Sequence, residues 1–77
     1  MSNTVRKYVV VIEKSETGFG AYVPDLSGCV AAAKTIKEVR ILIKEAIEFH
    51  IEGMIEEGEI IPEPTSLSFE IDIDIAA

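Results

Sequence analysis

The sequence has one cysteine, Cys29, so it cannot form an internal disulfide. This usage is typical of a reducing compartment. Met1 to Lys7 lead into an alternating stretch without the apolar segment of a secretory signal, and charges interrupt every apolar run before it reaches bilayer length. We therefore expect a cytoplasmic protein that does not enter a membrane.

The sequence also lacks the motifs of common catalytic sites. It has no glycine-rich phosphate loop, no nucleophile elbow and no aromatic cluster with basic neighbours for stacking bases. His50 is the only histidine and falls on the apolar side of a predicted helix, so we expect it to be packed. Cys29 has no basic neighbour to lower its pKa, which favours burial. These absences predict a protein that is not an enzyme and needs no cofactor.

Positive charge is scarce: the chain has 14 acidic residues and 7 basic ones, which gives a net charge of −7. Such a surface repels phosphate backbones and anionic lipid, so we expect this domain alone to bind neither nucleic acid nor membrane. At 77 residues, 48% of them hydrophobic, the chain is expected to fold as a single domain, residues 1–77. Without a disulfide or metal to support a small core, self-association into a dimer or tetramer is the expected stabiliser.

Three strands are predicted in the first half of the chain. Val5 to Lys14 contains a β-branched run that is apolar on both faces, which indicates a central strand. Turn residues separate it from a second strand, Phe19 to Val23, and a further turn precedes a third strand, Cys29 to Ala33. Short turns of this kind predict an antiparallel sheet.

A helix is predicted to begin at Ile36 and to stop at Gly58. Thr35 and Glu38 have the spacing of a capping box, and apolar residues then recur at three- and four-residue intervals. The apolar stripe is wider than one sheet contact needs, and glutamates flank it. We therefore expect a partner protein to contact this helix. The residues expected to contact it are Leu42, Phe49, Glu45 and Glu52.

A fourth strand is predicted where Leu67, Phe69 and the isoleucines up to Ile75 alternate with acidic and serine residues. Right-handed crossover from the helix would set it parallel to strand one, in the order 3-2-1-4, at an edge suited to dimerisation. The chain is thus expected to be an α+β (β-β-β-α-β) domain. Glu70, Asp72 and Asp74 point outward in parallel instead of converging, so a solvated acidic face is favoured over a metal site.

The stretch Gly20–Cys29, the helix stretch Glu45–Glu48 with His50, and Ile61–Pro64 together resemble the HicB-like antitoxins. The motif residues that carry this resemblance are Tyr22, Pro24, Asp25, Leu26, Gly28 and Cys29. The resemblance implies a truncated ribonuclease-H-like fold of three antiparallel strands, a helix and a fourth strand. It also implies a type II antitoxin that neutralises a small basic HicA-like toxin, an enzyme that cleaves messenger RNA.

Many family members also carry a DNA-binding segment, and we expect no separate DNA-binding domain in residues 1–77. Two alternatives remain open. An orphan HicB-like oligomer, structural or ligand-binding, would have no toxin partner. A metal-dependent nuclease would need convergent carboxylates, of which strand one offers only Glu13.

Overall fold

A computed structural model describes residues 5–76, which contain a three-stranded antiparallel sheet and a helix. Residues 1–4 and 77 lie outside the described residues. Residues 1–4 belong to the N-terminal stretch in which no signal segment was expected. The strands are β1 (Val11–Lys14), β2 (Phe19–Tyr22) and β3 (Val30–Ala33), in the order β1-β2-β3, and the helix is α1 (Ile36–Glu56). The α+β class and the antiparallel sheet are therefore confirmed.

The β1–β2 hairpin closes through a short turn at residues 15–18. Lys14 pairs with Phe19, and the Ser15 N–H donates to the Gly18 carbonyl at 2.8 Å. The Ser15 hydroxyl donates to the same oxygen at 3.2 Å. Gly18 lies directly against the carbonyl oxygen of Ala33, where a Cβ atom would overlap it. Glycine is thus required for close approach of two backbones at this turn.

Two successive turns connect β2 to β3. The Leu26 N–H donates to the Val23 carbonyl at 3.0 Å, and the Cys29 N–H donates to the Leu26 carbonyl at 3.2 Å. Gly28 adopts φ +81°, a left-handed conformation that glycine reaches without strain. The resulting spacing turns the side chains of Val23, Leu26 and Cys29 into the core, where each is buried.

The helix boundaries follow its capping residues. The Thr35 hydroxyl accepts a hydrogen bond from the Glu38 N–H at 3.1 Å, as the predicted capping box requires. At the other end the Gly58 N–H donates to Ile55 and the Glu59 N–H donates to Met54, with Gly58 at φ +71°. This is a Schellman ending, in which the left-handed glycine satisfies the last carbonyls. The predicted start at Ile36 and stop at Gly58 are confirmed.

The core lies between one face of the sheet and the inner side of α1, which packs on β3 and β2. Its buried members are Ala21, Val23, Leu26, Cys29, Val39 and Ile43. Half-buried apolar residues from the three strands, from the chain just before β1 and from the second half of α1 surround them. No helix in residues 5–76 combines the length and the apolar character needed to cross a bilayer.

The predicted fourth strand is not formed within the described residues. Residues 67–75 pair with no strand of the sheet, and their five large apolar side chains are between 68% and 95% exposed. Within the described residues β1 lies at an edge of the sheet, so the central position expected for strand one would need the fourth strand that these residues do not form. The radius of gyration is 15.2 Å and the longest dimension 55 Å. A compact chain of this length would have a radius of about 11.5 Å.

Candidate functional site

The four helix residues predicted to contact a partner lie on one side of α1. Their three- and four-residue spacing places them in a row, which we call the outer stripe: Leu42, Glu45, Phe49 and Glu52. All four are exposed; Leu42 retains 42% and Phe49 80% of its accessible surface. A phenylalanine this exposed on an ordered helix contributes nothing to the core, so it is available for contact with another molecule.

A shallow cleft of about 410 Å³ adjoins the outer stripe, between α1 and the start of β3. Phe49 and Gly53 line its helix side and Val30 lines its strand side. His50 faces the same cleft and is half-buried, so it is only partly packed. Glu57 also lines the cleft, and the adjacent Glu52 and Glu56 are exposed. The combined surface is apolar at its centre and negative at its margin.

Most of the family-motif residues form the core or the turns of the fold. Leu26 and Cys29 are buried in the core, and burial raises the pKa of the Cys29 thiol. Gly28 provides the left-handed turn between them. Tyr22 and Pro24 are exposed on the other side of the chain from the core. The motif therefore builds the β2–β3 connection and is not part of the outer stripe.

Asp25, the remaining motif residue, anchors the chain that follows the helix. Its carboxylate accepts hydrogen bonds from the backbone N–H groups of Thr65 and Ser66, both at 3.0 Å, and from their hydroxyls at 2.9 and 3.1 Å. These donors hold the pKa of the Asp25 carboxyl below its ordinary value, the Ser66 N–H most strongly, although partial desolvation opposes them. Hydrogen bonds to the charged form act in this direction because they stabilise it.

A second clamp, which the sequence did not reveal, holds the connector just before this anchor. The Tyr8 hydroxyl donates to the Pro62 carbonyl at 2.6 Å, and the Arg6 guanidinium donates to the Ile61 carbonyl at 3.1 Å. Arg6 also pairs with Glu63 at 3.2 Å. The partners are more than 50 residues apart, and Arg6 and Tyr8 lie before β1, so no local pattern in the sequence pointed to these contacts.

The acidic residues of the predicted fourth strand do not form a site with one another. Glu70, Asp72 and Asp74 are exposed. Across residues 5–76, no group of three or more His, Cys, Asp or Glu side chains is placed to hold a metal ion.

Comparison with known proteins agrees with this geometry. The model of a family described as the HicB_like antitoxin of bacterial toxin-antitoxin systems matches residues 8–73. The chain belongs to the HicB-like antitoxin family. The match continues past the helix to residue 73, so it includes most of the exposed residues 67–75.

Individual relatives of this HicB-like chain come from archaea, bacteria and a phage. A UPF0150 protein of Thermoplasma acidophilum is 47% identical over 57 residues, which cover 73% of this chain and 83% of that protein. An uncharacterised 14.9 kDa protein of Haemophilus phage HP1 is 47% identical over 55 residues, covering 71% of this chain. The matched part spans only 41% of that phage protein's length.

A solved structure shares the fold. A chain of a structure titled HicA3 and HicB3 toxin-antitoxin complex superimposes with a TM-score of 0.66 and is 36% identical. The similarity covers 77% of this HicB-like chain and 69% of that chain. The superposition supports the described α+β arrangement, and it relates the chain to a complex of two different proteins.

Proposed function

We propose that this HicB-like chain is an antitoxin that binds and neutralises a small basic HicA-like toxin through the outer stripe. The observation that carries the proposal is the exposed Phe49 beside glutamates on a rigid, well-capped helix. Family membership and the similarity to a chain of a HicA3 and HicB3 complex support it.

The chemistry of the outer stripe suits a basic partner. Aromatic side chains that enter a pocket in the partner often dominate binding energy, whereas exposed rim charges mainly raise the rate of encounter. Phe49 and Leu42 supply the apolar centre of the stripe, and Glu45 and Glu52 supply the charge. With a net charge of −7 the whole chain attracts a basic protein at long range.

The proposed role is binding, without catalysis. The mRNA-cleaving chemistry would belong to the toxin, and the antitoxin would act by covering the toxin's surface. A nuclease of the two-metal type needs carboxylates that converge on ions, whereas Glu70, Asp72 and Asp74 alternate along one exposed segment.

The test is co-expression of the chain with small basic proteins encoded beside its gene. Restored growth and co-purification as a complex are expected for the cognate toxin. A matched pair of variants separates specific binding from general acidity: Phe49→Asp removes the apolar centre while adding charge, and Asp74→Asn removes a remote charge. Circular dichroism verifies that the Phe49→Asp variant is folded. If that variant restores growth as well as the wild type does, the result contradicts the proposed surface.

A second candidate is a self-associating HicB-like module without a toxin. The exposed apolar residues of segment 67–75 favour it, because a single chain leaves them in water. The two candidates use different surfaces, so the Phe49 variant and a variant in the acidic segment distinguish them.

A further inference from the structure

The outer edge of β1 has no partner strand within the described residues. The sheet order is β1-β2-β3, so the backbone N–H and C=O groups on the free side of β1 are unpaired. The helix packs on β3 and β2 and leaves a gap beside β1. Open sheet edges of this kind readily accept another strand.

A groove of about 520 Å³ follows this gap between β1 and α1. Its walls are apolar: Val10 and Ile12 lie on the strand side and Ile43 on the helix side. Three basic residues line it as well, namely Arg6, Arg40 and Lys44. In a chain with twice as many acidic as basic residues, a groove with three cations and one carboxylate favours the approach of an acidic segment at long range, and the groove walls themselves offer apolar contacts.

The acidic segment, residues 67–75, matches this groove in length and pattern. Its nine residues would span about 30 Å as a strand, enough to run along the extended stretch from Tyr8 to Lys14. Its apolar side chains all lie on one face, so they can face Val10 and Ile12 together. The carboxylates then fall on the other sheet face, which Lys7 shares by the same alternation.

Two anchors hold the connector just before the acidic segment begins. Pro62 is held at Tyr8, before β1, and Ser66 is held at Asp25, after β2. Beyond these two anchors, residues 67–75 pair with no strand of the chain's own sheet, and their large apolar side chains are exposed.

We propose that the acidic segment of a second copy of this chain occupies the groove as a fourth strand beside β1, in a reciprocal strand-exchanged dimer. Each copy then gives one strand and receives one, which covers both exposed apolar faces and both open β1 edges in one two-fold interface. The four-stranded sheet expected from the sequence is completed by a partner chain. This proposal does not rest on toxin binding.

Two variants of the full chain separate the donor of the strand from its acceptor. The donor-defective variant is Ile71→Asp with Ile73→Asp, which places charges on the apolar face of a segment that contacts no core residue. The acceptor-defective variant is Ile36→Asp with Lys44→Glu. Both side chains are exposed and line the groove, and an aspartate in the first helical turn favours the helix. Asp72→Asn is the matched control, because its side chain lies on the opposite face of the segment.

Sedimentation at micromolar concentration is expected to show a wild-type dimer and to leave the Asp72→Asn control dimeric. Each double variant alone is expected to raise the dimer dissociation constant by about tenfold or more, since each removes apolar burial at both contacts. An equimolar mixture of the two double variants should form a heterodimer, held by the intact segment of one chain in the intact groove of the other.

Three results would overturn the proposal. A monomeric wild-type chain would mean that the segment folds onto its own sheet or stays free. A dimer that survives the donor-defective change would place the interface on another face, such as the exposed row of Tyr22 and Val30. Circular dichroism verifies that both double variants are folded. If their mixture then forms no heterodimer, exchange of strands between copies is excluded.

Discussion

The carboxylate of Asp25 holds Ser66 by two hydrogen bonds, from its backbone N–H and from its hydroxyl, although 41 residues separate the two in sequence. Asp25 lies in the β2–β3 connection, and Ser66 is the last residue before the acidic segment. This contact fixes the position from which that segment begins.

Replacing Asp25 with alanine is expected to release residues 65 and 66 while leaving the sheet and helix intact. The amides of Thr65 and Ser66 lose their acceptor, so their hydrogen exchange should become markedly faster. Exchange measured by NMR checks this, with Asp72→Asn as a control that should leave both amides unchanged. Unaltered protection in Asp25→Ala would mean that the Arg6 and Tyr8 clamp alone orders the connector.

Acid is expected to loosen the same anchor. The pKa of the Asp25 carboxyl is lowered in the folded chain, so its contribution to stability is present above the unfolded pKa and is lost as the pH falls through the folded pKa. The Ser66 amide chemical shift should report this transition below about pH 4. Ser66→Ala leaves the backbone donor in place, so it should raise the carboxyl pKa less than loss of the whole anchor would. A Ser66 amide shift that titrates at or above the pKa of an ordinary aspartate would contradict the expected direction.

Gly18→Ala is expected to destabilise the fold by about 1–3 kcal/mol, because the added Cβ overlaps the Ala33 carbonyl oxygen and two backbones must separate. Gly20→Ala is the matched control in the next strand, where a Cβ meets no atom within 4 Å. That variant should be neutral or slightly stabilising, since alanine lowers the entropy of the unfolded chain. Urea denaturation measures both; equal stabilities would contradict the close contact at Gly18.

Cys29 is expected to resist thiol reagents in the folded chain, because it is buried and burial raises its pKa. Its modification rate at neutral pH should therefore follow the fraction of open chain and rise with added urea. Cys29→Ser should cost about 1–3 kcal/mol, since a hydroxyl would replace an apolar thiol in the core. Rapid labelling without denaturant would show that the β2–β3 connection opens readily.

Phe49→Ala is expected to weaken toxin binding by about 10- to 100-fold, whereas Glu45→Gln with Glu52→Gln should mainly slow association. Surface plasmon resonance with the cognate toxin at two salt concentrations separates these effects, because salt screens the charge contribution. Both variants change exposed side chains and should keep wild-type melting temperatures. Equal effects of the two changes on the dissociation rate would argue against an apolar centre at Phe49.

Local features of the fold were predictable from the sequence because they depend on residues close together in the chain. The Thr35 cap, the Gly58 ending and the two turns follow from side-chain chemistry and backbone freedom within a few residues. The amphipathic period of α1 likewise fixed which side faces the core and left Leu42 and Phe49 outside it. For the same reason the outer stripe could be named before the fold was known.

Contacts between distant segments were decided only by the tertiary structure. Asp25 pairs with Thr65 and Ser66, and Arg6 and Tyr8 pair with residues 61–63. These contacts join positions about 40 to 57 residues apart, and no local pattern encodes them. The alternation in residues 67–75 predicted a strand, because period two describes which faces the side chains occupy. Whether that strand pairs within its own chain depends on where its first residue is held. Ser66 is held at Asp25, and the segment that follows pairs with no strand of its own sheet. The sequence thus determined the character of the segment, and the tertiary structure determined that its place in the sheet stays open.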